Sequence, residues 1–350
     1  MNRRHFLAAA SASAAALAAG CKGGSPSASS GKTLNIYTWA DYIDEELVQR
    51  FEEENGCRLV FDTFDSNEAM YAKLKGGAGG YDVLVPSSYM VKTLSREGML
   101  QKLDHAKLPN LSHVDPDHLK TALDAPMDHS VPYMAAPTGL AYLSDKVQAP
   151  ATSWKMLDRA DLKGRITLLD DMREVLGGAL KTLGHSLNST DPAQLAAAKE
   201  IAIGWKKNIA KFENEQYKTG LASGEFLLVH GYAGDIVQVM EENENIVFFV
   251  PEEGAPFSCD DLVIPAGATN VDLAHAFINF LTDPEVAAQN MEYIGYLAPN
   301  KDAWEKLSDE TRSNSAIFPP AEVRAKCEPL DDLGDALALW SQTWDEVKSA

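Results

Sequence analysis

The chain has 350 residues and a formal net charge of −20, from 51 acidic and 31 basic side chains. This length is enough for two lobes that each bury a core of their own. This excess of acidic over basic side chains argues against nucleic acid or anionic lipid as a partner. It is compatible with a cationic ligand, although many soluble proteins are acidic simply to stay soluble.

Residues 1–20 are predicted to be an export signal. Arg3 and Arg4 precede a short apolar stretch, a pattern typical of a twin-arginine signal. The Ala-rich run that follows is too short to span a bilayer as a membrane helix. We therefore expect an exported protein whose mature chain is even more negative.

The signal ends in Leu-Ala-Ala-Gly before Cys21, which is similar to the lipobox of bacterial lipoproteins. This pattern predicts cleavage before Cys21 and a lipid on its sulfur. Ala18 stands where the pattern prefers Leu or Val, so plain cleavage nearby is the alternative. Residues 21–32, rich in Gly and Ser, are predicted to be a flexible tether.

The segment LNIYTWADY, residues 34–42, is predicted to be a first strand followed by ligand contacts. Apolar and β-branched residues alternate with their neighbours up to residue 38, as in a strand. Trp39, Asp41 and Tyr42 follow at the carboxyl end, where an open α/β sheet places its ligand. A carboxylate between two aromatic rings suits an organic cation, because ring faces add cation–π attraction to the charge.

The next elements predict a β-α-β-α-β unit. The predicted order is a helix from Ile43 to Gly56, a strand over Arg58–Phe64, a capped helix over Asp65–Lys75 and a strand over Tyr81–Val85. Right-handed crossovers then give a parallel sheet whose strand ends share one edge. Ser87 and Tyr89 follow the third strand, so we expect them beside Trp39 and Tyr42.

The middle of the chain is predicted to leave this lobe and build a second one. Residues 98–117 and 131–134 are predicted to be loops and short pieces, and Pro137–Leu140 a turn out of the lobe. Further strands are predicted over 166–169, 226–230, 245–250 and 258–265, with helices over 170–183, 191–205 and 236–242. Helices after Val271 are predicted to return to the first lobe, and 331–348 to form a closing helix.

These elements predict two lobes. The first is residues 33–138 plus 261–304, and the second is 139–260 plus 305–350. A chain that leaves one lobe and later returns makes a hinge, with the ligand in the cleft between the lobes.

Eight segments from Leu34 to the C-terminus carry a resemblance to a known family. They are TWADYI, SNEAMYAKL, YDVLVPSSY, EGMLQKLD, LLDDMREVLGGALKTLG, GYAGD, DDLVIP and IGYLAPN. Together they resemble the polyamine-binding periplasmic proteins, the spermidine/putrescine receptors of ABC uptake systems. The resemblance implies a type II periplasmic-binding-protein fold of the α/β class, in which each lobe is a mostly parallel sheet flanked by helices.

The resemblance also implies a cleft with an aromatic floor and acidic ends. The rings expected to hold the methylene chain are Trp39, Tyr42, Tyr89, Tyr232 and Tyr296. The polar residues expected around the amines are Asp260, the pair Asp171 and Glu174, the serine Ser87, and Asp41 and Asp235, which are typical of the putrescine-preferring branch.

Three positions depart from the spermidine-binding pattern. Tyr232 and Ser258 stand where spermidine binders usually have Trp, and Leu330 stands where some members have a Gln contact. These departures leave the length of the ligand open between putrescine and spermidine, with the diamine favoured.

Simpler structural roles exist for the same residues. Asp171 and Glu174 also form a good capping box, and Asp235 is equally suited to cap the next helix. Asp260 is compatible with a solvated turn. His230 is expected to pack within a strand rather than to bind metal.

The same carboxylates also fit other functions. They are compatible with a hard cation such as Ca²⁺, with another organic amine, or with the acid and base of an exported hydrolase. No G-x-S-x-G, H-E-x-x-H or P-loop pattern is present, and aromatic rings offer a metal ion few lone pairs. We therefore predict no catalysis, no metal and no cofactor.

The predicted partners are the polyamine and the permease subunits of an ABC transporter. The protein is expected to be a periplasmic monomer that touches a membrane only through a lipid at Cys21. A polyamine sensor without a transport role is the alternative. Cys57, Cys259 and Cys327 allow one disulfide and one free thiol.

Overall fold

The computed structural model describes residues 32–120, 122–148, 151–240 and 242–350. The predicted export signal, Cys21 and nearly all of the predicted tether lie outside the described residues. Within the described residues, no helix is both long enough and apolar enough to cross a membrane.

The described chain contains nine strands in a mixed sheet. They are β1 (Lys32–Thr38), β2 (Cys57–Thr63), β3 (Val83–Leu84), β4 (Ser130–Leu143), β5 (Ile166–Leu168), β6 (Ile209–Phe212), β7 (Leu228–Tyr232), β8 (Ile246–Phe249) and β9 (Phe257–Val263). Strands β2, β1 and β3 form a parallel trio, and β6, β5 and β7 form another. Strands β4 and β9 lie antiparallel between the trios. The expected parallel sheets are therefore present as these trios. They are joined through two antiparallel strands, of which the sequence predicted β9 as a strand but not β4.

The long strand β4 belongs to both halves of the sheet. Residues 130–137 pair with β9 in the half that contains the β1 trio. Residues 138–143 pair with β7 and β8 in the half that contains the β5 trio. The chain therefore passes from one half-sheet to the other within a single strand.

The predictions of a loop over 131–134 and a turn over 137–140 are wrong. Pro132, Pro137 and Gly139 favour a turn when only sequence is considered. In the structure the register shifts between Pro132 and Met134, so the strand accommodates the first proline at an irregularity. Gly139 is needed because a Cβ there would lie 2.4 Å from the carbonyl oxygen of Phe249.

The described residues form fourteen α-helices. They are α1 (Glu45–Asn55), α2 (Asn67–Lys75), α3 (Ser88–Arg96), α4 (Pro116–Leu119), α5 (Met172–Thr182), α6 (Pro192–Lys206), α7 (Gln216–Ser223), α8 (Ala233–Met240), α9 (Val271–Leu281), α10 (Pro284–Ile294), α11 (Lys301–Trp304), α12 (Asp309–Ser313), α13 (Ala321–Arg324) and α14 (Leu337–Ser349). Helix α1 shows why the local sequence folds in this way. Asp44 caps its start by accepting a hydrogen bond from the Glu46 amide, and Gly56 ends it in the left-handed conformation.

Each half-sheet has its own core. In the first, Leu34 of β1 packs in one cluster with Phe51 of α1 and Phe277 of α9. In the second, Trp154 and Trp205 stack at 6.0 Å and share a cluster with Trp340 of α14. These cores fix the strand ends from which the site is built.

Candidate ligand-binding site

Four strands from the two trios end around one cavity. Trp39 and Tyr42 follow β1, Ser87 follows β3, Asp171 follows β5, and Tyr232 ends β7. The cavity has a volume of about 80 Å³, which suits a small ligand rather than a drug-sized one. This is the edge at which an α/β sheet binds its ligand.

Ten of the eleven residues predicted to bind a ligand line this cavity. They are Trp39, Tyr42, Ser87, Tyr89, Asp171, Glu174, Tyr232, Asp235, Asp260 and Tyr296. The exception is Asp41, whose side chain is 68% exposed and which does not line the cavity. Whether each of these residues contacts a ligand stays a prediction.

Asp260 is a half-buried carboxylate held by neutral donors. The Tyr42 hydroxyl donates to its Oδ2 at 2.6 Å, and the Ser87 hydroxyl donates to its Oδ1 at 2.6 Å. Burial raises the pKa of Asp260 to about 6, although these two hydrogen bonds act in the opposite direction. In the described part of the chain, no Lys, Arg or His forms an ion pair with this carboxylate. Asp260 therefore sits in the cavity wall and not in a solvated turn.

Asp171 both caps helix α5 and lines the cavity. Its Oδ1 accepts hydrogen bonds from the amides of Arg173 at 2.7 Å and Glu174 at 3.2 Å. The Glu174 carboxylate does not complete a capping box, because its Oε2 accepts from the Thr138 hydroxyl at 2.6 Å. Burial, and for Glu174 also the charge of Asp171, raises the pKa of both carboxyls.

His230 lies 3.8 Å from Glu174 but does not form an ion pair with it. Its ring is fully buried, makes no hydrogen bond to any described residue, and packs edge-on against Trp154 at 5.0 Å. Burial lowers the pKa of His230 to about 3, so the ring is neutral at physiological pH. Its role is packing, as expected from the sequence.

Asp235 lies in the first turn of α8 and does not cap it. Its carboxylate accepts hydrogen bonds from the hydroxyls of Tyr217 at 2.5 Å and Tyr296 at 3.2 Å. Burial raises the pKa of Asp235, and the nearby charge of Lys218 opposes that shift. Lys218 also contacts Asp41, with 3.2 Å between Nζ and Oδ2.

The rings of the cavity are held by edge contacts and hydrogen bonds. Tyr42 and Tyr296 meet edge to face at 5.3 Å, and Trp39 meets Phe64 at 4.4 Å. The Tyr89 hydroxyl donates to Glu68 Oε1 at 3.1 Å. Rings fixed in this way present faces to a ligand without a further loss of side-chain entropy on binding.

Sequence reasoning missed several residues of the cavity wall. They are Ala40, Asp65, Asn67, Met134, Ala136, Asn214, Glu215 and Lys218. Asn67 had a readable signal, since it lies in SNEAMYAKL, and it exchanges two hydrogen bonds of 3.0 Å with Ser87. Lys218 had none, because a lysine on a short helix is normally a solvated side chain.

A larger cavity of about 440 Å³ shares Ser87, Tyr89, Ser258 and Leu330 with the candidate site. Its remaining walls hold fewer aromatic and acidic groups, so the smaller cavity is the better candidate for a cation. No cluster of His, Cys, Asp or Glu in the described residues is arranged to hold a metal ion. Cys57, Cys259 and Cys327 are free thiols.

The comparisons with known proteins agree with this geometry. Residues 46–319 match the model of the family described as bacterial extracellular solute-binding protein. A spermidine/putrescine-binding periplasmic protein of Salmonella typhimurium is 37% identical over 99% of this chain and 98% of its own length. A putrescine/cadaverine-binding protein of Pseudomonas aeruginosa is 35% identical, covering 93% of this chain and 96% of its own.

A solved structure has the same fold. The TpPotD lipoprotein of Treponema pallidum superposes with a TM-score of 0.82 at 33% identity, covering 90% of this chain and 99% of its own. The fold and the cleft at the strand ends define a solute-binding protein of the kind that serves ABC transporters. The chain belongs to the bacterial extracellular solute-binding protein family.

Proposed function

We propose that this protein binds a polyamine of the putrescine and spermidine class in the cleft and delivers it to an ABC permease. The observation that carries the proposal is the environment of the Asp260 carboxylate. This carboxylate is half-buried beside aromatic rings, accepts hydrogen bonds only from hydroxyl groups, and has no cationic partner among the described residues. A buried charge of this kind is costly unless a ligand of opposite charge pairs with it.

The rest of the site supplies what a polyamine needs. Asp171 and Glu174 provide a second acidic group at the wall opposite the β1 half-sheet. Ammonium groups form short, charge-assisted hydrogen bonds with carboxylates, and ring faces favour both the ammonium and the methylene chain. Relatives that are named for spermidine, putrescine and cadaverine support this ligand class.

Discrimination in such a site is strong for charge and weak for length. A carboxylate left unpaired in the closed cleft costs on the order of 3–5 kcal/mol. One methylene group more or less changes binding by about 0.8 kcal/mol. A ligand that lacks the second amine should therefore be rejected more strongly than a neighbouring diamine.

We further propose that the two half-sheets are lobes that close around the ligand. The lobes expected from sequence, 33–138 plus 261–304 and 139–260 plus 305–350, divide near the point where β4 changes its pairing partner. Hydrogen bonds already cross the cleft, such as the one from Asn214 Nδ2 to the Asp65 carbonyl at 3.1 Å. A ligand that contacts both lobes shifts the population toward the closed form, which a permease can recognise.

A calcium-binding protein is the weaker alternative. The described residues offer no metal-holding cluster, and the rings of the cavity supply no ligand to a hard cation except through Tyr hydroxyls. No observation favours a sensor over a transport receptor, and similar solved structures that are named as ABC transporter proteins support transport.

The proposal is tested by a thermal-shift titration of the chain without residues 1–31. The series is putrescine, cadaverine, spermidine, spermine, agmatine, calcium and amino acids. A ligand that binds only the folded state raises the melting temperature by mass action. We expect putrescine or spermidine to give the largest shift. A shift with calcium alone, or with no amine, would contradict the proposal.

We also propose that the protein is a monomer outside the cytoplasm, anchored by lipid at Cys21. The support for the lipid anchor is the lipobox-like sequence before Cys21. Metabolic labelling with a palmitate analogue should mark the wild type, and Cys21→Ser should abolish the label. Cys57→Ser is the matched control and should be labelled normally. Equal labelling of Cys21→Ser and wild type would refute the anchor.

A further inference from the structure

Lys218 brings a positive charge of the protein itself into the acidic cleft. It lies on α7 and lines the cavity, and its side chain is only 14% exposed. Its Nζ is 3.2 Å from Asp41 Oδ2 and 3.9 Å from Glu215 Oε2. A largely buried lysine inside a cleft for cations requires an explanation, because it repels the ligand that the cleft is meant to hold.

The lysine stays charged at neutral pH. Burial acts to lower the pKa of Lys218, but the carboxylates of Asp235, Asp41 and Glu215 outweigh burial, and the net effect raises it. Asp235 is held in turn by Tyr217 and Tyr296 as well as by this charge. The end of the cleft around Asp41 and Asp235 therefore contains its own ammonium group.

Asp235 and Asp260 both accept hydrogen bonds only from hydroxyl groups, but Lys218 lies near Asp235 and not near Asp260. Asp260 receives only the hydroxyls of Tyr42 and Ser87. Arg173, the cation beside Asp171, is committed elsewhere: it donates to the Asp331 carbonyl and Asn188, and lies over the rings of Tyr89 and Trp340. Among the described residues, Asp260 and the Asp171–Glu174 pair are thus open to an ammonium from outside. Lys218 already lies at the Asp235 end of the cleft and pairs there with Asp41, which is outside the cavity wall.

We propose that Lys218 is a tethered ammonium that fills the Asp41–Asp235 end of the cleft and limits how many charges a bound polyamine can carry. The inference rests on the proposed function and refines it. Ligand ammonium groups are placed at Asp260 and at the Asp171–Glu174 pair. Asp41 and Asp235 act as counter-ions of Lys218, rather than as the direct amine contacts expected from the sequence.

A merely structural role for Lys218 makes a different prediction. The Lys218–Asp41 ion pair connects α7 to the segment after β1, and so it joins the two sides of the cleft. If this bridge only stabilised the closed form, its loss would weaken all ligands by the same factor. If Lys218 limits the charge of the ligand, its loss should instead strengthen binding more for ligands that carry more ammonium groups, because Lys218 repels each ammonium separately.

The test compares Lys218→Met with wild type by calorimetric titration of three ligands. Spermidine, putrescine and 4-aminobutan-1-ol carry three, two and one ammonium groups on similar chains. Lys218→Met should bind putrescine on the order of tenfold more tightly, spermidine by a larger factor, and the amino alcohol by less than about threefold. Lys218→Arg keeps the charge, so the ratios between its affinities for the three ligands should equal those of wild type.

Lys207→Met is the matched control, because this exposed lysine does not line the cavity and its loss changes the net charge equally. It should leave all three affinities as in wild type. Unchanged, uniformly weaker or uniformly stronger binding by Lys218→Met would overturn the inference while the proposed function stood. No binding of any amine by wild type or variant would overturn both.

Discussion

At the scale of single residues, Asp260 is a carboxylate that the free protein holds at a cost. Its folded pKa of about 6 lies above the value of about 4 for an exposed Asp. The unfolded chain therefore loses its proton first as pH rises from 4 to 6, and the folded state becomes less stable over that window. An ammonium that pairs with the Asp260 carboxylate offsets this cost, so the charge that destabilises the free protein strengthens ligand binding.

Asp260→Asn should therefore raise the stability of the ligand-free protein at pH 7. The expected gain in free energy of unfolding is on the order of 1–3 kcal/mol, since each pKa unit corresponds to about 1.4 kcal/mol. Urea unfolding measured at pH 7 and again at pH 3 checks this, because the gain should largely disappear where Asp260 is protonated in both the folded and the unfolded state. An equal or lower stability at pH 7 would contradict the assigned burial of the charge.

Polyamine affinity should fall in acid for the same reason. Below about pH 8 the ligand must displace a proton from Glu174, and below about pH 6 also one from Asp260, while its own amines stay charged. The dissociation constant should then rise by at least about tenfold per pH unit, because Glu174 and Asp171 add to the effect. Titrations from pH 4.5 to 8 test this, and a flat profile would exclude these carboxyls as the ligand contacts.

The sequence predicted ten of the residues around the cavity but not the charges that modify them. Asp260, Asp171 and Tyr296 were found through segments that resemble a family. Lys218 was missed, because its effect depends on which helix carries it into the cleft. Asp41 appeared equivalent to Asp235 in sequence, yet Asp41 is exposed and Asp235 is half-buried in the cavity wall.

At the scale of elements, the start of α5 combines capping and charge in Asp171. Asn caps a helix as well as Asp does, whereas Ala does not, at a cost of about 1 kcal/mol. We expect Asp171→Asn to keep the melting temperature, and Asp171→Ala to lower it. Both should weaken polyamine binding. If Asp171→Asn bound polyamine like wild type, capping would be the only role of Asp171.

Helix α8 packs so closely on Tyr296 that only glycine fits at position 234. A Cβ there would lie 1.9 Å from two carbons of the Tyr296 ring. Gly234→Ala should displace the ring, cost about 1–3 kcal/mol of stability, and weaken polyamine binding. Its unfolding midpoint and polyamine affinity test this, and wild-type values for both would show that the ring is not confined as described.

Gly204→Ala is the matched control for this substitution. It lies within α6, where a Cβ meets nothing within 4 Å. This change should stabilise the protein by about 0.5–1 kcal/mol, because alanine favours a helix interior. A loss of stability here would mean that helix propensity does not govern this half-buried position.

Helix and strand order followed from the sequence, while β4 did not. Spacing and caps located α1, α5 and α6, because these signals are local. Strand β4 contains two prolines and a glycine and is buried along nearly its whole length. It is defined by its pairing with β7, β8 and β9, which lie far along the chain, and local patterns do not contain that information.

At the scale of the whole molecule, we expect the two half-sheets to close around the ligand by a hinge movement at β4 and the strands beside it. Polyamine binding should reduce the radius of gyration in small-angle X-ray scattering, since a bound cation favours contacts from both sides. The measurement is made with and without saturating ligand on the chain lacking residues 1–31. A radius that does not change despite saturation would contradict closure.

The central claim is that the half-buried carboxylate of Asp260 binds a polyamine ammonium. Calorimetric titration of putrescine and spermidine into wild type, Asp260→Asn and Asp261→Asn tests it most directly. Asp261 is the neighbouring acid of β9; it is buried but does not line the cavity, so its substitution is the matched control. Asp260→Asn should weaken binding by at least about 100-fold, from the cost of an unpaired buried charge, while Asp261→Asn should bind like wild type. Equal affinities for wild type and Asp260→Asn would contradict the account.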